Sequence, residues 1–242
     1  MFRIYLTLRG NDTKGKNVMD RLNILKVYRY ILIVSIALFL DLVSNSNEFT
    51  LAQNNNNVIE DQFNYSGQYS IDQTKLVSHE TASYSFVLKY AQEYKISPAL
   101  IMALIKKEST FISTAIGDNG IAVGLMQLHW DAAYDAGYRS ARGNSTAFAK
   151  ADWPVDGLDP DRNIRYGSTY LKLCYEDYKD APQYKNDPLK NSVSCYNLGL
   201  TSGPNTKNER NYVNIVLEYY KDYLSKSIVN GAPLPPQNLR VQ

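Results

Sequence analysis

A helix-length run from Pro98 to Ser109, PALIMALIKKES, constrains this chain more than any other stretch. Ser97 stands where a helix N-cap belongs and proline takes the first helical position, so the start is well defined. Counting back from Glu108 by three, four and seven residues reaches Ile105, Leu104 and Ile101. The carboxyl therefore shares a helix face with apolar side chains, while Lys106 and Lys107 fall on other faces. A carboxyl held against apolar groups is desolvated; its pKa rises and it can stay protonated near neutral pH. The plain alternative is a helix-terminal glutamate turned to solvent, where charged side chains usually reside.

The next residues favour the first reading. Gly117, Gly120 and Gly124 permit a tight turn and close backbone approach. A second helix is expected from Leu125 to Ala136, opened by Gly124-Leu125-Met126-Gln127-Leu128 and stopped at Gly137. Gln127 beside the acid offers a donor and an acceptor, which suits sugar hydroxyls or acetamido groups. Protonating a glycosidic oxygen requires an acid such as Glu108. An ordinary helix–turn–helix corner with a solvated Gln remains the alternative.

The other elements also read as helical. Val87, Tyr90, Ala91 and Tyr94 repeat with the helical period. Asp159-Pro160 starts a long helix with Ile164, Leu171, Cys174, Tyr175 and Tyr178 inward. Asp187-Pro188 starts another, with Leu189, Val193 and Tyr196 inward and Gly199 near its end. The last helix runs over roughly 209–225. Residues 138–158 and 200–208 read as loops, and alternating strand patterns are scarce. The fold class is mainly α.

At the N-terminus, Ile31 to Val43 is strongly apolar with one charge, Asp41. A membrane span needs about 20 apolar residues, so this run fits the core of a secretory signal. Cleavage after Ser46 or Ala52 is compatible with it, as is a start at Met19 or an uncleaved anchor. Each places the rest outside the cytoplasm, in the periplasm, the cell envelope or the medium. The organisation expected is a signal or anchor over 1–52, a polar linker over 53–80, a catalytic domain over 81–228 and a Pro-rich tail over 229–242.

A net charge of +2 with no long basic run argues against nucleic acid as partner. Two histidines and two cysteines assemble no metal site, and no cofactor is expected. Twenty tyrosines supply flat, polar-tipped surfaces that suit sugar rings, although half-buried packing accounts for most such side chains.

Taken in order, Glu108-Ser109 with Phe111 and Ala115, then GLMQL at 124–128, NIRYGSTYLKL at 163–173, SCYNLG at 194–199 and NYVNIVLEYY at 211–220 resemble the soluble Slt-type lytic transglycosylases of the lysozyme-like superfamily. Each motif is weak alone; four in order are specific. The resemblance spans roughly 83–224 and implies a lysozyme-like helical domain with a substrate cleft. It implies Glu108 as the single catalytic acid/base, and Ser109, Met126, Gln127, Tyr196 and Asn197 as substrate-binding residues, with Ser109 also fixing its helix end. The implied partner is the glycan strand of peptidoglycan, cut between N-acetylmuramic acid and N-acetylglucosamine by a monomer. No second carboxylate is needed, because the muramoyl C6 hydroxyl closes a 1,6-anhydro ring.

Departures from the family pattern fall at Gly117, where many members carry Ser, in a turn one residue longer, and at Asn208, where some members have Glu; here Glu209 follows. One rival is a hydrolytic muramidase, for which Asp118 or Asp131 would activate water. Another is a non-catalytic wall-binding or scaffold protein. In the related fold the helices carrying Cys174 and Cys195 pack together, so a disulfide between them is expected in an oxidising compartment, against two separate buried thiols.

Overall fold

The computed structural model describes residues 62–181, 187–199, 207–229 and 232–233. The expected signal or anchor segment, residues 53–61 of the expected linker, residues 200–206 of the expected loop and most of the expected tail lie outside them. The described residues fold mainly as α-helices.

The helix of the acid forms as its sequence dictates. We call Ser78–Tyr94 α1 and Pro98–Ser109 α2. The Ser97 hydroxyl accepts from the Leu100 amide, and Pro98 stands in the first turn. Every residue from Pro98 to Ile105 is buried, so α2 is threaded through the core rather than laid upon it. It packs on α1 and on α7 (Lys207–Ser225). The carboxylate of Glu80, although buried, is satisfied: it accepts from the Val77 amide at 3.1 Å and the Tyr223 hydroxyl at 2.6 Å, with Lys106 at 3.6 Å.

The second helical layer is α5 (Pro160–Tyr178) with α6 (Pro188–Leu198), and α5 also packs on α1. Asp159 and Asp187 cap their amide ends through side-chain oxygens, as Asp-Pro starts predict. A disulfide joins Cys174 of α5 to Cys195 of α6, with Cα atoms 5.5 Å apart. Closing a loop of this size restricts the unfolded chain by about 3 kcal/mol. Protein recovered from an oxidising compartment and unfolded without reductant is expected to show no reactive thiol; two would refute the bridge in that protein.

Three expectations are corrected. Residues 62–80 are folded rather than a linker. Phe63, Tyr65, Tyr69 and Ile71 are buried, the Tyr65 amide donates to the Lys95 carbonyl at 2.9 Å, and β1 (Ser70–Ile71) pairs antiparallel with β4 (Ser227–Val229). These aromatics have no regular period because they pack individually, so pattern reading passes over them. Likewise β5 (Ala232–Pro233), in the expected tail, pairs with β4.

The second correction concerns Leu125–His129, which are not helical. A short hairpin, β2 (Ile116–Gly117) with β3 (Ala122–Val123), leads into a turn, and helix α3 begins only at Trp130 and ends at Asp135. Asn163 explains the turn: its amide oxygen accepts from the Met126 amide at 2.7 Å, and its nitrogen donates to the Val123 carbonyl at 2.9 Å and the Gly157 carbonyl at 2.7 Å. Backbone groups satisfied by a side chain need no helix.

The third is α4 (Thr146–Asp156), inside the expected loop 138–158. Ser145 caps it, and the alanines that read as loop residues are strong helix formers. Its buried Trp153 donates its indole N–H to the Leu128 carbonyl at 2.7 Å, pressing α4 onto the turn.

Candidate active site

Glu108 reaches the end of α2 where the helix leaves the core. Thr110 and Phe111 take left-handed backbone conformations there (φ 52° and 63°) and turn the chain away, and the Glu108 side chain is half-buried. The Ser109 hydroxyl donates to the Leu125 carbonyl at 2.7 Å, tying the helix end to the turn. Glu108 thus meets a cleft of about 470 Å³ that it lines together with Gln127, Tyr196, Asn197, Asp118, His129 and Asp131.

Burial raises the Glu108 pKa above the usual carboxylate value. The Tyr212 hydroxyl bond and the charges of Lys107 and His129 oppose that rise, and Asp118 adds to it. The hydroxyl of Tyr212, from α7, donates to Glu108 Oε1. Burial, and then the Glu108 charge, push the Tyr212 phenol well above its usual range, so it remains a donor.

Tyr196 comes from α6. It is buried, and its hydroxyl donates to the Met126 carbonyl at 2.9 Å, which ties α6 to the turn. Asn197 is exposed at the rim. Gln127 has a left-handed backbone (φ 44°), and its amide nitrogen donates to the Ala115 and Gly124 carbonyls at 3.0 and 2.9 Å.

Two expected contact residues are corrected. Met126 is fully buried; its side chain lies against Gly167 of α5, where a Cβ would collide with its sulfur. Its backbone serves the site, by accepting from Tyr196 and donating to Asn163. Ser109 is likewise buried and spends its hydroxyl on backbone carbonyls. Asp118 and Asp131, candidates for a water-activating acid, do reach the cleft; the Asp118 carboxylate is 2.9 Å from His129 Nε2.

Tyr212 and Asn163 were not singled out by residue-level reasoning. Each lies inside a motif, but nothing in the spacing shows that a residue 104 positions from the acid will bond to it. Glu209, the shifted acidic residue of α7, is buried and accepts from the Ser194 hydroxyl, tying α7 to α6. Among the described residues no group of three or more His, Cys, Asp or Glu side chains could hold a metal, and no helix is long and apolar enough to cross a membrane.

Removing the Tyr212 hydroxyl deletes a bond that favours the ionised acid. Tyr212→Phe is therefore expected to raise the Glu108 pKa further and carry the alkaline limb of the pH–rate profile upward. Loss of a bond to a charged group predicts a rate about tenfold lower. An unmoved limb would show that Tyr212 does not act on the acid.

Comparisons with known proteins identify the family. The transglycosylase SLT domain model matches residues 85–215, more than half of the chain. Membrane-bound lytic murein transglycosylase C of Edwardsiella ictaluri is 25% identical over 120 residues, which cover 48% of this chain and 31% of that protein. The chain thus spans under a third of the curated relative's length. An inactive mutant of lytic transglycosylase Slt from Pseudomonas aeruginosa aligns with a TM-score of 0.44 at 24% identity, over 62% of this chain and 25% of that one. On the family match, the chain belongs to the transglycosylase SLT domain family.

Proposed function

We propose that the protein is a peptidoglycan lytic transglycosylase that cuts the bond between N-acetylmuramic acid and N-acetylglucosamine, with Glu108 as its single acid/base. The observation that carries the reading is one half-buried carboxyl, its pKa raised by burial, opening onto a cleft large enough for saccharide units. Protonated Glu108 gives its proton to the glycosidic oxygen as the C1–O bond breaks. The resulting carboxylate takes the proton of the muramoyl C6 hydroxyl, whose oxygen bonds to C1 and closes the 1,6-anhydro ring. No water is consumed, and Glu108 ends protonated. Tyr212 holds the carboxylate in place through both steps, and Gln127, Tyr196 and Asn197 border the glycan.

The hydrolytic reading has one observation in its favour, since Asp118 and Asp131 border the same cleft. Asp118 is engaged with His129 and its side chain is 70% exposed, a poor holder for a nucleophilic water. Mass spectrometry of muropeptides released from purified sacculi tests both. Products lighter than the hydrolytic ones by one water support the transglycosylase; full-mass reducing ends support the muramidase; no release supports a non-catalytic wall protein. Action outside the cytoplasm, in the periplasm or cell envelope, is part of the proposal; the disulfide and the name of the membrane-bound relative support it.

A further inference from the structure

Gly117 in β2 is glycine for a reason its own backbone does not supply. Its φ of −117° and ψ of −178° are ordinary extended values open to any residue. Space is what sets glycine against a larger residue: a Cβ at this position would lie 2.5 Å from Oε1 of Gln127, which would have to move, whereas the Ala122 Cβ stands at a comfortable 3.7 Å.

The Gln127 amide, in turn, has only one satisfactory sense. Its nitrogen donates to two backbone carbonyls, those of Ala115 and Gly124. Turned over, the amide would set its oxygen against both carbonyl oxygens, which is repulsive. The left-handed backbone at Gln127 fixes where the side chain starts, and the two hydrogen bonds fix where it ends. Oε1 is left over Gly117 at the cleft wall. It accepts no hydrogen bond from the described residues, and it is not among the buried atoms left without a partner. Held in one orientation by a residue that lines the same cleft as Glu108, this oxygen can serve only as an acceptor.

We propose that Gly117 is a positioning residue of the saccharide site: its missing side chain makes room for Gln127 to present its amide oxygen, as acceptor only, to a hydroxyl or acetamido N–H of the sugar bound beside Glu108. The proposal rests on the saccharide reading of the cleft. It adds a selection rule, that the sugar group at this point must donate.

Gly117→Ala tests it. The atom a methyl group would strike is the tip of a flexible side chain, so the variant is expected to fold and to melt within about 2 °C of its parent. The Gln127 amide is expected to swing off its two carbonyls. Side-chain amide NMR then shows its NH₂ protons losing protection from exchange, a readout that needs no substrate. In a Glu108→Gln background, expected to hold glycan without cutting it, the Kd for an alternating N-acetylglucosamine–N-acetylmuramic acid oligomer is expected to rise about fivefold on Gly117→Ala. Gln127→Ala gives a similar rise, and the two changes together give no more than either alone. In the active enzyme KM rises while kcat and the pH profile change little.

An unshifted Gln127 amide signal overturns the proposal, as does unchanged glycan affinity in Gly117→Ala or a loss that persists when Gln127 is already Ala. If the Glu108→Gln parent binds no glycan, the saccharide reading falls and this proposal with it; if the parent binds and Gly117→Ala binds equally well, this proposal falls alone.

Discussion

Glu108→Gln is expected to abolish turnover of purified sacculi, lowering the rate by about 10³-fold or more, in a protein that folds normally. Gln keeps the size of the side chain and can still accept from Tyr212, but it has no proton to give and no carboxylate to take one back. The same substitution is expected to raise stability at neutral pH. Burial lifts the folded-state pKa of Glu108 above its unfolded value. A raised pKa contributes stability that is fully present below the unfolded pKa and is lost as pH rises through the folded one. Above its unfolded pKa the wild type therefore carries a cost, whether the buried group ionises or takes up a proton to stay neutral, and Gln removes it. The melting-temperature advantage of the variant should shrink as pH falls toward 4, near the ordinary value for Glu. Wild-type-like turnover by a folded variant would exclude Glu108 as the acid. A variant less stable than wild type at every pH would mean that the carboxylate is a structural partner instead.

The legible and illegible parts of this site divide by range. The helix face that carries Glu108 was legible because it is local, set by a cap, a proline and a period; its role at a cleft came from the turn that follows and the family resemblance. The starts of α5 and α6 were legible for the same reason, each set by an Asp-Pro pair. Tyr212 was not, because its pattern in α7 is that of any packed tyrosine, and the bond to Glu108 exists only once α7 lies on α2. Met126 misleads in the other direction. It sits beside Gln127 in sequence and shares its motif, yet the turn sends one side chain to the core and the other to the cleft. The segment from 62 to 80 escaped because a chain that covers a core with individually packed aromatics has polar composition and no period, and composition is all that a linker assignment weighs. Helix α4 was hidden by alanine, which is read as small and loop-like when apolar periodicity is absent, although it is the best helix former.

Asn163→Ala is expected to destabilise the protein by roughly 4 kcal/mol and lower the melting temperature by about 10 °C, although Asn163 touches no part of the cleft. The side chain is fully buried at the head of α5. This one side chain bonds three backbone groups at the turn beneath the cleft, accepting from the Met126 amide and donating to the Val123 and Gly157 carbonyls. Alanine leaves one donor and two acceptors without that partner in a packed interior, and each such group costs about 1–3 kcal/mol. Water has little room to replace it, since Gly124 (φ 79°) approaches so closely that a Cβ there would overlap both the Asn163 amide and the Gly157 carbonyl. Asn163→Asp separates hydrogen bonding from packing. It preserves shape and the acceptor for Met126, but at neutral pH it sets a carboxylate oxygen against two carbonyls and buries an unpaired charge. It should therefore be at least as damaging as alanine at pH 7 and partly recover in acid, where a protonated carboxyl can donate to one carbonyl. Activity should fall in both variants, because the turn that carries Gln127 and accepts from Tyr196 is no longer held. If Asn163→Ala melted within about 2 °C of wild type, or Asn163→Asp were the milder change at pH 7, the cleft floor would have to be held by packing, not by this amide.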